Sequence, residues 1–173
     1  FLSFIGYKKI LLLKKKNNKA RRNILIANSG DKFWNENQMH FYATEIFYSF
    51  FKCYSSGDFT SLKPNMTENL FEKYQNEIDK NKIVGIRFEF NFFKFKFKKI
   101  VLARDCANDN YDEFQMYYEG IYTMTETKKT ENESYKKEKA IPFKFIFVFN
   151  RKGNKWKLLN IEDDIAKRDL EIL

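Results

Sequence analysis

One side chain in this sequence ordinarily titrates near neutral pH, that of His40. Acid–base catalysis would need it beside a nucleophile or a second titrating group. Cys53 is the nearest thiol along the chain, but both residues fall in one helical segment, and the intervening three to four turns hold them about 20 Å apart. A Cys–His pair cannot close there. Cys53 and Cys106 show no CxxC or Cys/His ligand spacing, so neither a disulfide framework nor a zinc site is expected, and a reducing compartment suits both thiols. Glu89 and Glu119 lie in strand-like segments. Either would serve as a general base if buried in a sheet cavity, yet alternation with aromatic residues assigns both to the solvated strand face. Asp163 and Asp164 are adjacent and diverge on a helix, and the six glycines are scattered, with no phosphate-binding loop. No catalytic residue, metal ligand, cofactor or small-molecule substrate is expected.

Charge carries more information. Residues 1–30 hold Lys8, Lys9, Lys14, Lys15, Lys16, Lys19, Arg21 and Arg22 and no acidic residue, while the other 24 basic residues nearly balance all 23 acidic ones. Almost all of the +9 net charge therefore sits in an N-terminal arm. A concentrated basic segment matches phosphate, as RNA or as anionic lipid. Phe1, Leu2, Phe4 and Ile5 would dip into a headgroup layer in the lipid case. The sequence opens at Phe1 rather than Met, so the true N-terminus is expected further upstream, and the acid-free basic composition is that of a mitochondrial targeting segment. Against a presequence, the stretch Phe1–Leu13 is too apolar and too Lys-interrupted for a simple amphipathic segment, and it is also too short to span a bilayer.

The elements behind the arm are legible from periodicity. Met39, Ala43, Ile46, Phe47, Phe50 and Tyr54 share one face of a helix over about 35–54, which Gly57 stops. A short helical turn over 58–62 ends near Pro64. Thr67 opens a second helix with Leu70, Phe71, Tyr74 and Ile78 on one stripe. The rest reads as strand. Phe88, Phe90 and Phe92 alternate with polar residues. The phase then slips so that Phe93, Phe95 and Phe97 face one way and Lys94, Lys96 and Lys98 the other, the mark of a bulge or break. The lysines would form a basic stripe able to touch phosphate. Phe114, Met116, Tyr118, Gly120, Tyr122 and Met124 define a second strand face. Residues 128–139 read as a charged loop, and Phe143–Phe149 as a third strand. Arg151-Lys152-Gly153-Asn154 is a hairpin turn, followed by a strand with Trp156, Leu158 and Asn160 on one side and Leu159 and Ile161 on the other. The expected fold is α+β: a curved, cone-like antiparallel sheet of three to four long strands packed on N-terminal helices, with an extended basic arm. The expected division is arm 1–30, domain 31–161 and a polar helix or tail 162–173.

The segment Tyr54-Ser55-Ser56-Gly57-Asp58-Phe59-Thr60-Ser61-Leu62, then Met66-Thr67-Glu68-Asn69-Leu70-Phe71, the strand Ile100-Val101-Leu102-Ala103-Arg104, and the closing Phe147–Arg151 and Trp156-Lys157-Leu158-Leu159-Asn160-Ile161 together resemble one family. It is the C-terminal domain shared by the mitochondrial import-motor membrane adaptor and the membrane-anchoring protein of the mitochondrial large ribosomal subunit, within the nuclear-transport-factor-two-like fold. The resemblance covers about 41–161. It implies a non-catalytic structural subunit of a large assembly in the mitochondrial matrix, peripheral to the inner membrane, whose partners are rRNA, anionic inner-membrane lipid or both. An import-motor adaptor, an accessory subunit of a respiratory-chain or ATP-synthase complex, and a small cone-fold isomerase or dehydratase are the alternative readings.

Overall fold

The computed structural model describes residues 2–129 and 134–163. Three helices come first: α1 (Leu2–Gly30), α2 (Glu36–Ser56) and α3 (Glu68–Ile83). Four strands follow: β1 (Ile86–Arg104), β2 (Glu113–Lys129), β3 (Ser134–Lys152) and β4 (Lys155–Asp163). They form one antiparallel sheet in the order β1-β2-β3-β4. The α+β class and the curled sheet on N-terminal helices are as expected.

The helix ends follow from local chemistry. The Asn35 side chain accepts the Gln38 N–H at 3.0 Å and caps α2. At the far end Gly57 takes a left-handed φ of 78°, and its N–H and that of Asp58 both reach the Cys53 carbonyl. The short helical turn beyond it lies at Thr60–Asn65, with Pro64 inside it, later than the sequence pattern placed it.

The sheet curls because β1 slips register three times, between Phe90 and Phe92, Phe95 and Phe97, and Ile100 and Leu102. Each extra residue bends the strand and tightens its twist. Each slip also reverses which face the next side chain meets. The first is the phase change visible in the sequence. The second was not visible: Phe97 leaves the face of Phe93 and Phe95 and packs with Leu13, Val101, Tyr117, Ile146 and Val148 on the convex side. A further slip against β4 sets Leu158 opposite Phe149 and Asn160 opposite Val148, so Ile161 rejoins Trp156 and Leu158 in the main core and Asn160 does not. The charged stretch expected as a loop over 128–139 is mostly strand, with Lys128 paired to Tyr135 and Glu126 to Lys137. Of the tail expected over 162–173, Glu162 and Asp163 continue β4, and residues 164–173 lie outside the described residues.

The concave face is packed with aromatic rings, and Phe47 stands at their centre. Its ring centroid lies 4.5 Å from Tyr118, 4.9 Å from Phe51, 5.2 Å from Phe95, 5.3 Å from Phe93 and 5.4 Å from Phe147. Gly120 makes this possible. A Cβ there would stand 2.1 Å from the Lys94 carbonyl oxygen and 3.0 Å from the tip of the Phe143 ring. Backbone cannot yield as a side chain can, so Gly120→Ala is expected to destabilise the fold by about 1–3 kcal/mol or more through overpacking. A urea-melt midpoint equal to the parent's would contradict this.

Candidate polyanion-binding face

The segment expected as an extended arm is a 29-residue helix docked along β1. Lysine, leucine, isoleucine and alanine are all tolerated by helix, and Leu13, Ala20, Ile24 and Ala27 recur at seven, four and three residues and are buried. Asn17 donates to the Ile100 carbonyl and Asn23 to the Ala103 carbonyl, both at 2.8 Å, so α1 satisfies backbone acceptors at bends of the sheet edge. Ile24 and Ala27 also enter the main core, so three helices cover the sheet rather than two. The 7-4-3 spacing was in the sequence, hidden among the lysines around it.

Docking sorts the eight cations. Lys8, Lys15, Lys19 and Arg22 follow one another along a single line of the helix, turned away from the buried residues, with Lys14 and Arg21 flanking it; all six are exposed. Two of the eight, Arg21 of the exposed set and the half-buried Lys9, meet acids of the domain: Lys9 donates to Glu119 at 2.9 Å, and Arg21 pairs with Glu36 at 3.0 Å. Lys16 is half-buried and lines a groove of about 900 Å³ between α1 and the convex sheet face, with Lys19, Arg104, Asp105 and Glu162 also on its walls. Apolar side chains are interleaved with the outer cations: Leu11 is 47 % exposed, Leu25 68 % and Ile26 72 %. Leu2, Phe4 and Ile5 lie in the first turns of α1, and Phe1 lies outside the described residues. Among the described residues, no helix is long and apolar enough to cross a membrane.

The expected Lys94–Lys96–Lys98 stripe is split by the second β1 slip. Lys94 stands opposite Ile121, Lys96 reaches Glu119 at 3.8 Å, and Lys98 stands opposite the core residue Tyr118 on the other face. The three do not form one surface.

Glu119 was expected on a solvated face. Its side chain is only 13 % exposed, and it is clamped by the Tyr117 hydroxyl, Lys9 and Lys96. Burial by itself would raise its pKa, but hydrogen bonds from Tyr117 and Lys9 and the two lysine charges outweigh it and hold the carboxyl below its ordinary value. It is an ion-paired anchor for α1 and stays ionised at neutral pH. Glu89 lies 3.5 Å from Arg87. His40 is half-buried on α2; burial lowers its pKa, Glu36 opposes that, and the charges of Lys98, Lys99 and Arg21 lower it further. The Cys53 sulfur meets the Ser61 hydroxyl at 3.3 Å, and both cysteines are free thiols. No group of His, Cys, Asp and Glu suited to a metal ion occurs among the described residues.

One polar cluster has no counterpart in the linear pattern. Arg151, expected in a turn, is buried and bridges three carboxylates. It bonds Asp31 just after α1, and it lies 3.2 Å from both Asp109 and Asp112 in the β1–β2 connection. Its guanidinium also lies over the Phe33 ring at 4.2 Å. Asp112 is fully buried; its carboxylate accepts the Cys106 N–H, and its carbonyl accepts from Arg151 N–H and the Asn150 amide. An arginine following an aromatic strand, with acids scattered in two remote loops, was the available signal. Nothing in linear order says that those loops meet.

No protein-family model matches the sequence, and no curated protein matches it. Among solved structures the chain is similar to the crystal structure of the intermembrane space region of the chloroplast protein ARC6, with a TM-score of 0.53 and 8 % sequence identity, over 70 % of this chain and 92 % of that one. At that identity the likeness concerns the fold alone.

Proposed function

We propose that this protein is a non-catalytic docking subunit whose α1 presents a braced row of cations to a phosphate-rich partner. The observation that carries this reading is the line Lys8, Lys15, Lys19 and Arg22, exposed on a helix whose opposite side is buried in the domain. Cations on a helix fixed in this way lose less conformational freedom on binding than cations on a free arm. The resemblance to the import-motor adaptor and ribosomal domain suggests the setting, a mitochondrial assembly peripheral to the inner membrane. Within it, rRNA contact in the large ribosomal subunit is the leading assignment. An enzyme of this fold would need polar groups converging on the concave face, where Phe47, Phe93, Phe95, Tyr118 and Phe147 pack instead.

Because α1 is part of the core, deleting it would damage the fold, and charge reversal is the cleaner test. The triple variant Lys15→Glu, Lys19→Glu, Arg22→Glu is expected to weaken binding to a structured RNA. It should flatten the slope of log affinity against log salt by about 0.7–0.9 for each phosphate that the helix no longer neutralises. A slope identical to the parent's, with thermal stability unchanged, would remove the RNA assignment. The exposed Leu11, Leu25 and Ile26 beside the cations favour a second reading, α1 lying on anionic lipid, as in an import-motor adaptor or an accessory subunit of a respiratory-chain or ATP-synthase complex. Flotation with cardiolipin-containing vesicles that excess RNA cannot displace would select it.

A further inference from the structure

The two sheet edges are finished differently. Along β1, side chains take up edge groups: Asn17 and Asn23 donate to the Ile100 and Ala103 carbonyls, and the Ser55 hydroxyl accepts the Phe90 N–H at 3.0 Å. On the other side, among the described residues, β4 pairs with β3 from Lys152 to Phe145, where Asp163 stands opposite Phe145. β3 runs on to Ser134. Among the described residues, no strand or side chain pairs with the outer edge from Ser134 to Lys144. That length, on the order of 35 Å, is ample for a bound strand.

Pro142 tells which groups face outward. A proline has no N–H to give a neighbouring strand and takes a place whose N–H side points away from the sheet. Residues two, four and six before it share that direction, so Lys136, Glu138 and Ala140 present outward N–H and C=O groups. The side chains along this edge are strongly cationic on both faces. Lys137 and Lys139 stand on one face, opposite Glu126 and Met124; Lys136 and Lys144 stand on the other, opposite Thr127 and Glu119. Glu138 is the one acidic residue from 134 to 144. Lysines and a proline on an edge repel a second copy of the same edge. An acidic strand meets the opposite sign on both of its faces.

We propose that the outer edge of β3 from Ser134 to Lys144 accepts an extended acidic peptide segment of a partner protein, which adds to the sheet in line with β4. Backbone hydrogen bonds supply the affinity, and the lysines select carboxylate-bearing partners. The site is separate from the α1 cation row, so either can fail without the other.

The test uses the full chain and a labelled peptide of about ten residues alternating Glu and Val, long enough to cover the edge. Saturable binding is expected, with slowed amide exchange at Lys136, Glu138 and Ala140. N-methylation of alternate peptide amides leaves the charge intact and removes the edge hydrogen bonds, and is expected to weaken binding about tenfold or more. The variant Lys137→Glu, Lys139→Glu should weaken binding likewise while leaving the salt slope for RNA untouched. Four results would overturn the proposal: amides of Lys136, Glu138 and Ala140 already protected in the protein alone, no binding, equal binding of the N-methylated peptide (attraction by charge alone), or a concentration-dependent dimer that protects this edge.

Discussion

Replacing Phe47 with alanine is expected to lower the unfolding free energy by about 3–5 kcal/mol, the range for removing a buried aromatic ring. The upper part of that range is expected because the site cannot collapse. Rings from three strands and from its own helix surround Phe47: Phe93 and Phe95 on β1, Tyr118 on β2, Phe143 and Phe147 on β3, and Phe51 one turn along α2. Several of these are themselves pinned; Tyr118, for example, donates its hydroxyl to the Ala43 carbonyl at 2.7 Å. Stiff neighbours leave a cavity that persists, and the penalty grows with cavity volume. Phe47→Leu keeps most of the volume and should cost about 1–2 kcal/mol. Urea melts of the three proteins would check the order, and a Phe47→Ala loss below that of Phe47→Leu would show that the ring is not the keystone of the concave core.

The second large effect is expected at Arg151. Its side chain is 8 % exposed, and with it removed the fully buried Asp112 loses its cation. Breaking a buried pair by deleting one partner costs about 3–5 kcal/mol, chiefly because the charge left behind is uncompensated. Arg151→Met keeps much of the packing over Phe33 and isolates that effect. The pH dependence gives a sharper reading. Burial already raises the Asp112 carboxyl above its ordinary value, against the lowering by the Cys106 N–H and Arg151. Without the guanidinium it rises further. An acid whose folded pKa is raised contributes stability at low pH that is lost as pH rises through the folded value. The deficit of Arg151→Met should therefore be largest near neutrality and shrink as pH falls toward the ordinary carboxylate range. Asp31 works in the opposite sense: its backbone bond from Phe33 N–H and its pairing with Arg151 hold its pKa down, and what it contributes fades as acid protonates it. Adding Asp112→Asn to Arg151→Met should recover part of the loss at neutral pH. A deficit flat from acid to neutral pH would mean that lost packing, and not an orphaned charge, is the cause.

Much of the main chain is legible in its residues. The apolar face of α2, its glycine stop, the stripe of α3 and the alternation of the strands are local patterns, and each reports which side of an element is buried. Legibility fails where burial on one side of an element is masked by charge on the other. In α1 four small or aliphatic residues at 7-4-3 spacing sit among eight cations, and the cations mask them. At 128–139 the lysines and glutamates look like solvated loop because both faces of a hairpin extending beyond the core are polar.

By itself, the amino-acid order determined the class of the fold, the helical and extended segments of the domain, the first phase slip in β1 and the concentration of positive charge before residue 30. These are properties of neighbours along the chain, set by side-chain period and by Gly and Pro. Only the tertiary structure decided that the basic segment is a docked helix, which of its cations remain outward, that Lys98 parts from Lys94 and Lys96, and that Arg151 finds Asp31, Asp109 and Asp112. Each of these depends on pairing register or on loops remote in sequence meeting in space. A single extra residue in a strand reverses every face beyond it, and local propensity is indifferent to where that residue falls.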